Sequence, residues 1–312
     1  MRAHQKFNGL SPMLIKTMPG LASPHKIIVT GATSIIGYFL LSRLMTAGYE
    51  VHAISRDGGK YVGTTSNQLI WHEADISRAG QFPLIHAEAL IHLAPLWLLP
   101  PLLPVLALQG IKRVIGFGST SLFSKANSAD AGERQIACRL AEAEEAIRRL
   151  CAASETNWTV LRPTLVYDCA RDKNITRIAG FIRRYGFFPL LGKASGLRQP
   201  VHADDLAEAC LTALEQPSTF NKAYNVSGGE TLSYRQMVEK IFTSLGKPAR
   251  FLTVPPWMFR GAINVMALIS DKQGTTLEMA TRMNVDLCFD HTEATVDFGF
   301  LPRPFTPHWN DG

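Results

Sequence analysis

The chain has 312 residues, of which 46% are hydrophobic and 19% charged, with a formal net charge of +6. This is the composition of a globular protein with a sizeable core, and it excludes a disordered or fibrous chain. The basic residues form no block, which argues against a nucleic-acid partner. The five cysteines are far apart and odd in number, and they contain no C-x-x-C pair. Reduced thiols in a cytoplasmic protein are therefore the expectation, and no metal site is expected.

Residues 1–24 carry scattered charges and prolines without a continuous apolar run. They read as an irregular extension rather than a secretory signal. The stretch from His25 to Arg56 is richer. Ile27, Ile28 and Val29 form a β-branched run, as a strand covered on both faces requires. Gly31 allows a sharp turn at the strand end, and Gly37 lets a following helix lie close. Ile36, Leu40, Leu41, Leu44 and Met45 recur at helical spacing, Gly48 closes the helix, and a second strand runs from Tyr49 to Ser55. Backbone N–H groups at such a helix start point at a pyrophosphate, whose charge the helix dipole favours. The glycine pattern is Gly31-x-x-Ser34-x-x-Gly37, with serine in place of the middle glycine. Ser34 can cap the helix through its hydroxyl, but it adds bulk where backbone and phosphates would meet.

The spacing predicts a third strand at Leu69–Glu73 and a fourth at Ala89–Leu93. The window Ala89–Leu108 is almost wholly apolar, yet Pro95, Pro100, Pro101, Pro104 and His92 argue against a membrane helix. A buried strand, a loop and a sheet-packed helix are expected instead. Trp97, Leu98, Leu99, Leu102 and Leu103 offer an exposed apolar patch for a substrate, a partner or a membrane surface. A fifth strand is expected at Arg113–Gly118. A long helix from Gly132 to Ala153 carries Ile136, Leu140, Ala143, Ile147 and Leu150 on one stripe. That stripe fits packing on the sheet or a homodimer interface. Glu144–Arg148 and Glu145–Arg149 are expected as pairs on its wet side. A sixth strand covers Trp158–Leu161. The alternation implies an α/β fold, a Rossmann-type doubly wound parallel sheet with helices on both faces.

After Arg162-Pro163 the rhythm changes. Helices are expected at Ile175–Tyr185, Asp204–Glu215 and Ser233–Leu245. Phe187–Gly192 reads as a loop, Pro200–Ala203 as a short strand and Ala223–Val226 as a further strand. The rest reads as mostly helical with a Pro-rich end. The expected organisation is thus an extension at 1–24, a dinucleotide-binding core at 25–170 and a small, mostly helical substrate-side region at 171–312, interleaved with the sheet.

Six landmarks follow one another: Thr30-Gly-Ala-Thr-Ser-Ile-Ile-Gly37, Glu73-Ala-Asp75, His92-Leu-Ala94, Gly118-Ser-Thr-Ser-Leu-Phe123, Leu161-Arg-Pro-Thr-Leu-Val-Tyr167 and Gln199-Pro-Val-His-Ala-Asp-Asp-Leu-Ala207. In this order they resemble the extended short-chain dehydrogenase/reductases, the NAD-dependent epimerase/dehydratase group. The resemblance covers about residues 25–305. It implies that Gly31, Thr33, Ser34, Ile35, Ile36 and Gly37 frame the pyrophosphate. Asp75 would accept from the adenine amine, with Ile76 beside the ring. Leu93, Ala94 and Pro95 would line the ribose path, and Pro163 to Val166 the nicotinamide. Ser119 falls where the family hydrogen-bonds the substrate oxygen. The second strand ends in Ser55-Arg56 rather than in an acidic residue. A guanidinium there suits the extra phosphate of NADP(H), with NAD(H) as the second choice and Asp57 as a neighbour that blurs the signal.

The family's proton donor is a tyrosine four residues before a lysine, whose cation lowers the phenol pKa. Here those positions fall on Ile136 and Leu140, or after a one-residue slip on Gln135 and Arg139, and no tyrosine lies between Tyr61 and Tyr167. Substitutes on offer are His202, Tyr38, Tyr167 and Ser119. His202 also reads as a structural residue before its helix, and Tyr167 matches a non-catalytic tyrosine of the family. The expected function is therefore an NAD(P)-dependent oxidoreductase or epimerase-like enzyme of atypical chemistry. The rival is a non-catalytic NADPH-binding sensor, scaffold or assembly protein. The substrate is expected to be a small molecule, a nucleotide sugar or an apolar carbonyl compound. Arg183, Arg184, Lys193 and Arg198 are available for a second pyrophosphate, although each also reads as a solvated surface charge. Phe181, Tyr185, Phe187, Phe188 and Leu190 suit either a pocket lid or internal core. Monomer and homodimer both fit, and no transmembrane span is expected.

Overall fold

The computed structural model describes residues 26–254 and 282–309. The expectations for residues 1–24, and for the helical remainder where it spans 255–281, lie outside the described residues. The strands are β1 (Lys26–Thr30), β2 (Glu50–Ser55), β3 (Leu69–Glu73), β4 (Ala89–His92), β5 (Arg113–Phe117), β6 (Asn157–Pro163), β7 (Val166–Tyr167), β8 (Phe188–Leu191), β9 (Leu197–Arg198), β10 (Val201–His202), β11 (Lys222–Val226), β12 (Leu232–Ser233) and β13 (Phe251–Val254). Seven of them form one sheet in the order β11-β6-β5-β4-β1-β2-β3. Each neighbouring pair in it is parallel. The order reverses between β1 and β4, so a crevice opens at their carboxyl ends.

The helices are α1 (Ile35–Thr46), α2 (Leu103–Leu108), α3 (Ser121–Ser124), α4 (Ala131–Ala153), α5 (Ile175–Tyr185), α6 (Ala203–Glu215), α7 (Tyr234–Ser244) and α8 (Thr292–Phe298). One face of the sheet is covered by α1 and α6, through Leu40, Leu44, Leu206 and Cys210. The opposite face carries α2 and α4, through Leu106, Leu140, Ala143 and Ile147. A third cluster joins α5, α7 and β8 around Ile182, Leu190, Val238 and Phe242. Each fully buried leucine or isoleucine contributes roughly 1.5–3 kcal/mol relative to exposure. The helix ends are capped as their sequence suggests. Ser34 accepts from the Gly37 amide, Asp130 accepts from Glu133, and Ser233 forms a capping box with Gln236.

Several expectations fail, each for a local reason. Residues Phe188–Leu191 are not a loop. They pair in parallel with β13, an extended segment inside the stretch expected to be helical. The two short apolar runs are too brief for their periodicity to show, and each finds its partner more than 60 residues away. The apolar segment after β4 does not form an exposed patch. Leu99 and Leu102 are fully buried, Leu103 is 4% exposed, and Trp97 lies under the Arg139 guanidinium at 4.0 Å. The expected i,i+4 pairs of α4 are also rearranged. Glu145 pairs with Arg148 instead of Arg149. Glu144 turns inward to accept from Arg162 Nε of β6 at 2.8 Å, with both side chains mostly buried. A bidentate partner at the sheet end outcompetes an exposed helical one.

Candidate functional site

The turn after β1 is built from backbone. Gly31 has φ +67°, and a Cβ there would lie 2.7 Å from the Ala94 nitrogen and 2.8 Å from the Leu93 carbonyl carbon. Only glycine permits that conformation this close to the end of β4. A Cβ on Gly37 would fall 2.1 Å from the Ala32 oxygen, so the first turn of α1 lies hard against the loop. The cap Ser34 engages the Gly37 amide at 3.1 Å. The amides of Ile35 and Ile36 open the helix and have no acceptor within it. A close-packed glycine turn ending in open helix amides fits a diphosphate.

The floor of the crevice is fixed by a buried imidazole. His92 Nδ1 accepts from the Thr30 hydroxyl at 2.8 Å, and Nε2–H donates to the Pro95 carbonyl at 3.2 Å. Burial pushes the imidazole pKa down to about 4, so the ring is neutral and pins the ends of β1 and β4 together. Leu93 and Ala94 are half-buried beside it and Pro95 is exposed.

At the far end of the crevice Arg56 is exposed after β2, while its neighbour Asp57 pairs with Lys60 at 3.0 Å. Asp75 accepts from the Ser77 amide at 3.0 Å. That amide, then the Ser77 hydroxyl, Arg78 and Arg56, hold its carboxyl below the ordinary range. Arg56 and Asp75 therefore share one end of the crevice. Ile76 packs against the α2–α4 core face.

A cavity of about 400 Å³ opens at the carboxyl ends of β5, β6 and β7. Ile35 lines it and links it to the glycine turn. So do Ser119, Thr120, Ser121, Ser124 and Lys125 from the segment after β5, and Thr164 and Val166 from that after β6. Ser119 Oγ accepts from the Ser121 amide at 3.1 Å. The Thr120 hydroxyl donates to the Pro163 carbonyl at 3.1 Å. Arg198, Arg282 and Phe289 close the other side.

The structure brings Ile35, Ser119 and Val166 together and leaves the other proton-donor candidates out. Among the described residues no tyrosine lines this cavity. Ile136 and Leu140 pack in the core against the sheet, and Gln135 is exposed. Arg139 is spent on Trp97. Tyr38 stacks under Arg171 at 3.5 Å. Tyr167 is fully buried between His202 and Phe305, and burial raises its phenol to about 12. His202 caps α6 by accepting from the Asp204 amide at 3.1 Å, and its imidazole is lowered first by burial and then by Arg303. These are packing and capping roles.

Arg198 is not the solvated charge that its position in the chain suggests. It is 4% exposed and donates to the Leu197 and Val285 carbonyls, each at 2.7 Å, and to the Arg282 carbonyl. Arg183 stacks on Trp309 and Arg184 on Tyr185, while Lys193 is exposed. Phe181 joins Phe187 and Phe188 edge-on, and Phe188 and Leu190 belong to the third core cluster rather than to a lid. Sequence reasoning missed Lys125, Arg282 and Phe289, while Thr164 falls within the stretch Pro163 to Val166 that it singled out. The one signal available was the density of small polar residues after the buried β5 run.

All five cysteines are free. Among the described residues no helix is long and apolar enough to cross a membrane.

Comparison with known proteins agrees with this fold. Residues 27–96 and 101–227 match the model of the NAD dependent epimerase/dehydratase family. The chain is 24% identical over 310 residues to UDP-glucose 4-epimerase of Vibrio cholerae, covering 88% of this chain and 90% of that protein. A shorter match, 29% over 116 residues, joins it to mitochondrial NADH dehydrogenase 1 alpha subcomplex subunit 9 of Arabidopsis thaliana, covering 37% of this chain and 28% of that protein. The dTDP-glucose 4,6-dehydratase of Streptomyces venezuelae, solved with NAD bound, shares the fold at a TM-score of 0.67 and 18% identity, covering 90% of this chain and 92% of that one. The chain belongs to the NAD dependent epimerase/dehydratase family.

Proposed function

We propose that the protein is an NAD(P)-dependent oxidoreductase of the epimerase/dehydratase type with an atypical active site, acting on a small molecule in the cavity beside Ser119. The observation that carries this reading is the β1–α1 turn. It packs Gly31 against Leu93 and Ala94 with no room for a side chain and ends in the open amides of Ile35 and Ile36, which suit a diphosphate. Gly31, Thr33, Ser34, Ile35, Ile36 and Gly37 hold the pyrophosphate. Asp75 and Ile76 receive the adenine, Leu93, Ala94 and Pro95 the ribose path, and Pro163 and Val166 the nicotinamide. Arg56 selects NADP(H) over NAD(H), because its guanidinium is exposed while the adjacent carboxylate of Asp57 is taken by Lys60.

When bound, the nicotinamide supplies or accepts a hydride. The chain contributes orientation and hydrogen bonds. Ser119, whose Oγ accepts from the Ser121 amide, keeps its O–H free for a substrate oxygen, whereas Thr120 spends its proton on the Pro163 carbonyl. No phenol stands ready to move the proton among the described lining residues. A general acid ordinarily contributes about 10²–10⁴ in rate, so turnover is slow unless a lining group replaces it. The substrate is a nucleotide sugar or an apolar carbonyl compound.

A second reading, a non-catalytic NADPH-binding assembly protein, is favoured by the same missing phenol and by the match to a respiratory-complex subunit. Equilibrium titration with NADPH, followed by hydride-transfer assays on sugar nucleotides and carbonyl compounds, separates the two. The enzyme reading predicts turnover that falls in Ser119→Ala. Tight NADPH binding with no turnover supports the assembly reading, and no dinucleotide binding removes both.

A further inference from the structure

A second polar cluster lies away from the Ser119 cavity, on the sheet face that carries α2 and α4. Its members come from three adjacent strands: Lys26 from β1, Glu50 and His52 from β2, and His72 from β3. The parallel register sets Lys26 opposite Glu50, His52 opposite Ile70 and Ile54 opposite His72. The two histidines are thus one strand apart and two residues out of step, which puts both imidazoles on one side of the pleat.

The imidazoles meet nitrogen to nitrogen. His52 Nδ1 and His72 Nε2 are 2.9 Å apart, with the ring centroids 5.2 Å apart. Most of the centroid separation is the nitrogen–nitrogen vector, so the rings touch edge to edge. The other ring nitrogen of His52, Nε2, donates to Glu50 Oε1 at 3.0 Å, and Lys26 Nζ lies 3.0 Å from the same oxygen. The Lys26 hydrogen bond, helped by His52, holds the Glu50 carboxyl below its ordinary range against the effect of burial. An ionised carboxylate only accepts, so the His52 proton sits on Nε2 and the Nδ1 lone pair faces His72. Burial first, and then His52, lower the His72 imidazole and favour its neutral form. His52 is 9% exposed, while His72 is half-buried on the last strand of the sheet.

This arrangement suits a metal-ligating imidazole. A carboxylate on one nitrogen fixes the tautomer and makes the other nitrogen a stronger ligand. A second imidazole already stands at that nitrogen. Metal–nitrogen bonds of about 2.0–2.1 Å at a tetrahedral angle place two ligand nitrogens roughly 3.3 Å apart, a few tenths of an ångström beyond their present separation.

We propose that His52 Nδ1 and His72 Nε2 bind one divalent transition-metal ion of the kind that prefers nitrogen ligands, and that Glu50, held by Lys26, orients His52 for it. As the ion enters, His72 carries its proton on Nδ1 instead of Nε2, so the neutral pair releases no net proton. Among the described residues no group of three His, Cys, Asp or Glu side chains converges, so water completes the coordination and the ion is exchangeable. It ties β2 to the edge strand β3, whose ends lead to Arg56 and Asp75.

The test is calorimetric titration of the full chain with ZnCl₂, and with MgCl₂ as the oxygen-preferring control, on the wild type, His72→Gln and Glu50→Gln. No dinucleotide is added, because the site stands apart from the dinucleotide reading. The wild type takes up one zinc ion. Its affinity falls by at least about tenfold in His72→Gln and by about tenfold in Glu50→Gln, the scale on which an outer partner tunes a ligand. Magnesium gives no heat at this site. A hydrogen-bonded pair with only a structural role leaves zinc affinity the same in both variants, and unchanged affinity in either one overturns the proposal. So does a wild type that takes up no zinc. If His72→Gln fails to fold, the presence or absence of the loss in Glu50→Gln decides alone.

Discussion

The two ends of the crevice are made of different material. At the β1–α1 turn the work falls to backbone, in a conformation that Gly31 alone allows and at a separation that Gly37 keeps open. At the α3–α4 wall the work falls to side chains, and Ile136 and Leu140, where the family resemblance would put a phenol and an ammonium, pack against the core instead. A backbone site is fixed by the fold and survives most substitutions around it. A side-chain site can lose its chemistry while the helix keeps its place.

The sharpest way to break this comparison is to write the ammonium back. Leu140 is 3% exposed and packs against the sheet. Leu140→Lys therefore buries an unpaired charge in the core and costs about 4 kcal/mol. Urea unfolding checks this. A stable variant with an active-site lysine contradicts the placement of α4.

The backbone end breaks almost as hard. Gly37→Val drives a side chain into the Ala32 carbonyl and costs about 3 kcal/mol, with NADPH binding lost. A melting temperature and a dinucleotide affinity both equal to the parent's contradict the close turn.

Acid loosens the same end. The folded pKa of His92 is about 4, against 6.5 for the ordinary imidazole. The unfolded chain therefore binds the proton first. The stabilisation is complete above about pH 6.5 and is lost as the pH falls toward 4, about 3 kcal/mol in all. His72, lowered by burial and by His52, and His202, lowered by burial and Arg303, slope the same way. Unfolding free energies measured from pH 7 to pH 4 check the slope, and a flat profile contradicts a neutral, buried His92.

Much of the parallel sheet was legible because each strand is a short β-branched or apolar run between turn residues, as in Ile27–Val29 and Ala89–Ile91. The turn was legible because glycines at fixed spacing have a steric cause. The family followed from six such landmarks in order. The cavity wall was not legible. Arg282 is far along the chain from Lys125 and Glu133 and meets them only through the fold, and no periodicity marks the three. Glu144 shows the same limit. Spacing assigned it to Arg148, four residues along its own helix, and only the packing of α4 on β6 could assign it to Arg162. The β8–β13 pair was hidden because pairing across more than 60 residues leaves no local trace.

The most direct test of the crevice is a melting-temperature comparison of the protein alone, with NADPH and with NADH, repeated on Arg56→Ala. Both dinucleotides should stabilise the wild type, NADPH by the larger margin. The NADPH advantage, about tenfold in affinity for one guanidinium–phosphate contact, should vanish in the variant. An NADPH preference that survives the substitution contradicts the role given to Arg56, and no stabilisation by either dinucleotide contradicts the site as a whole.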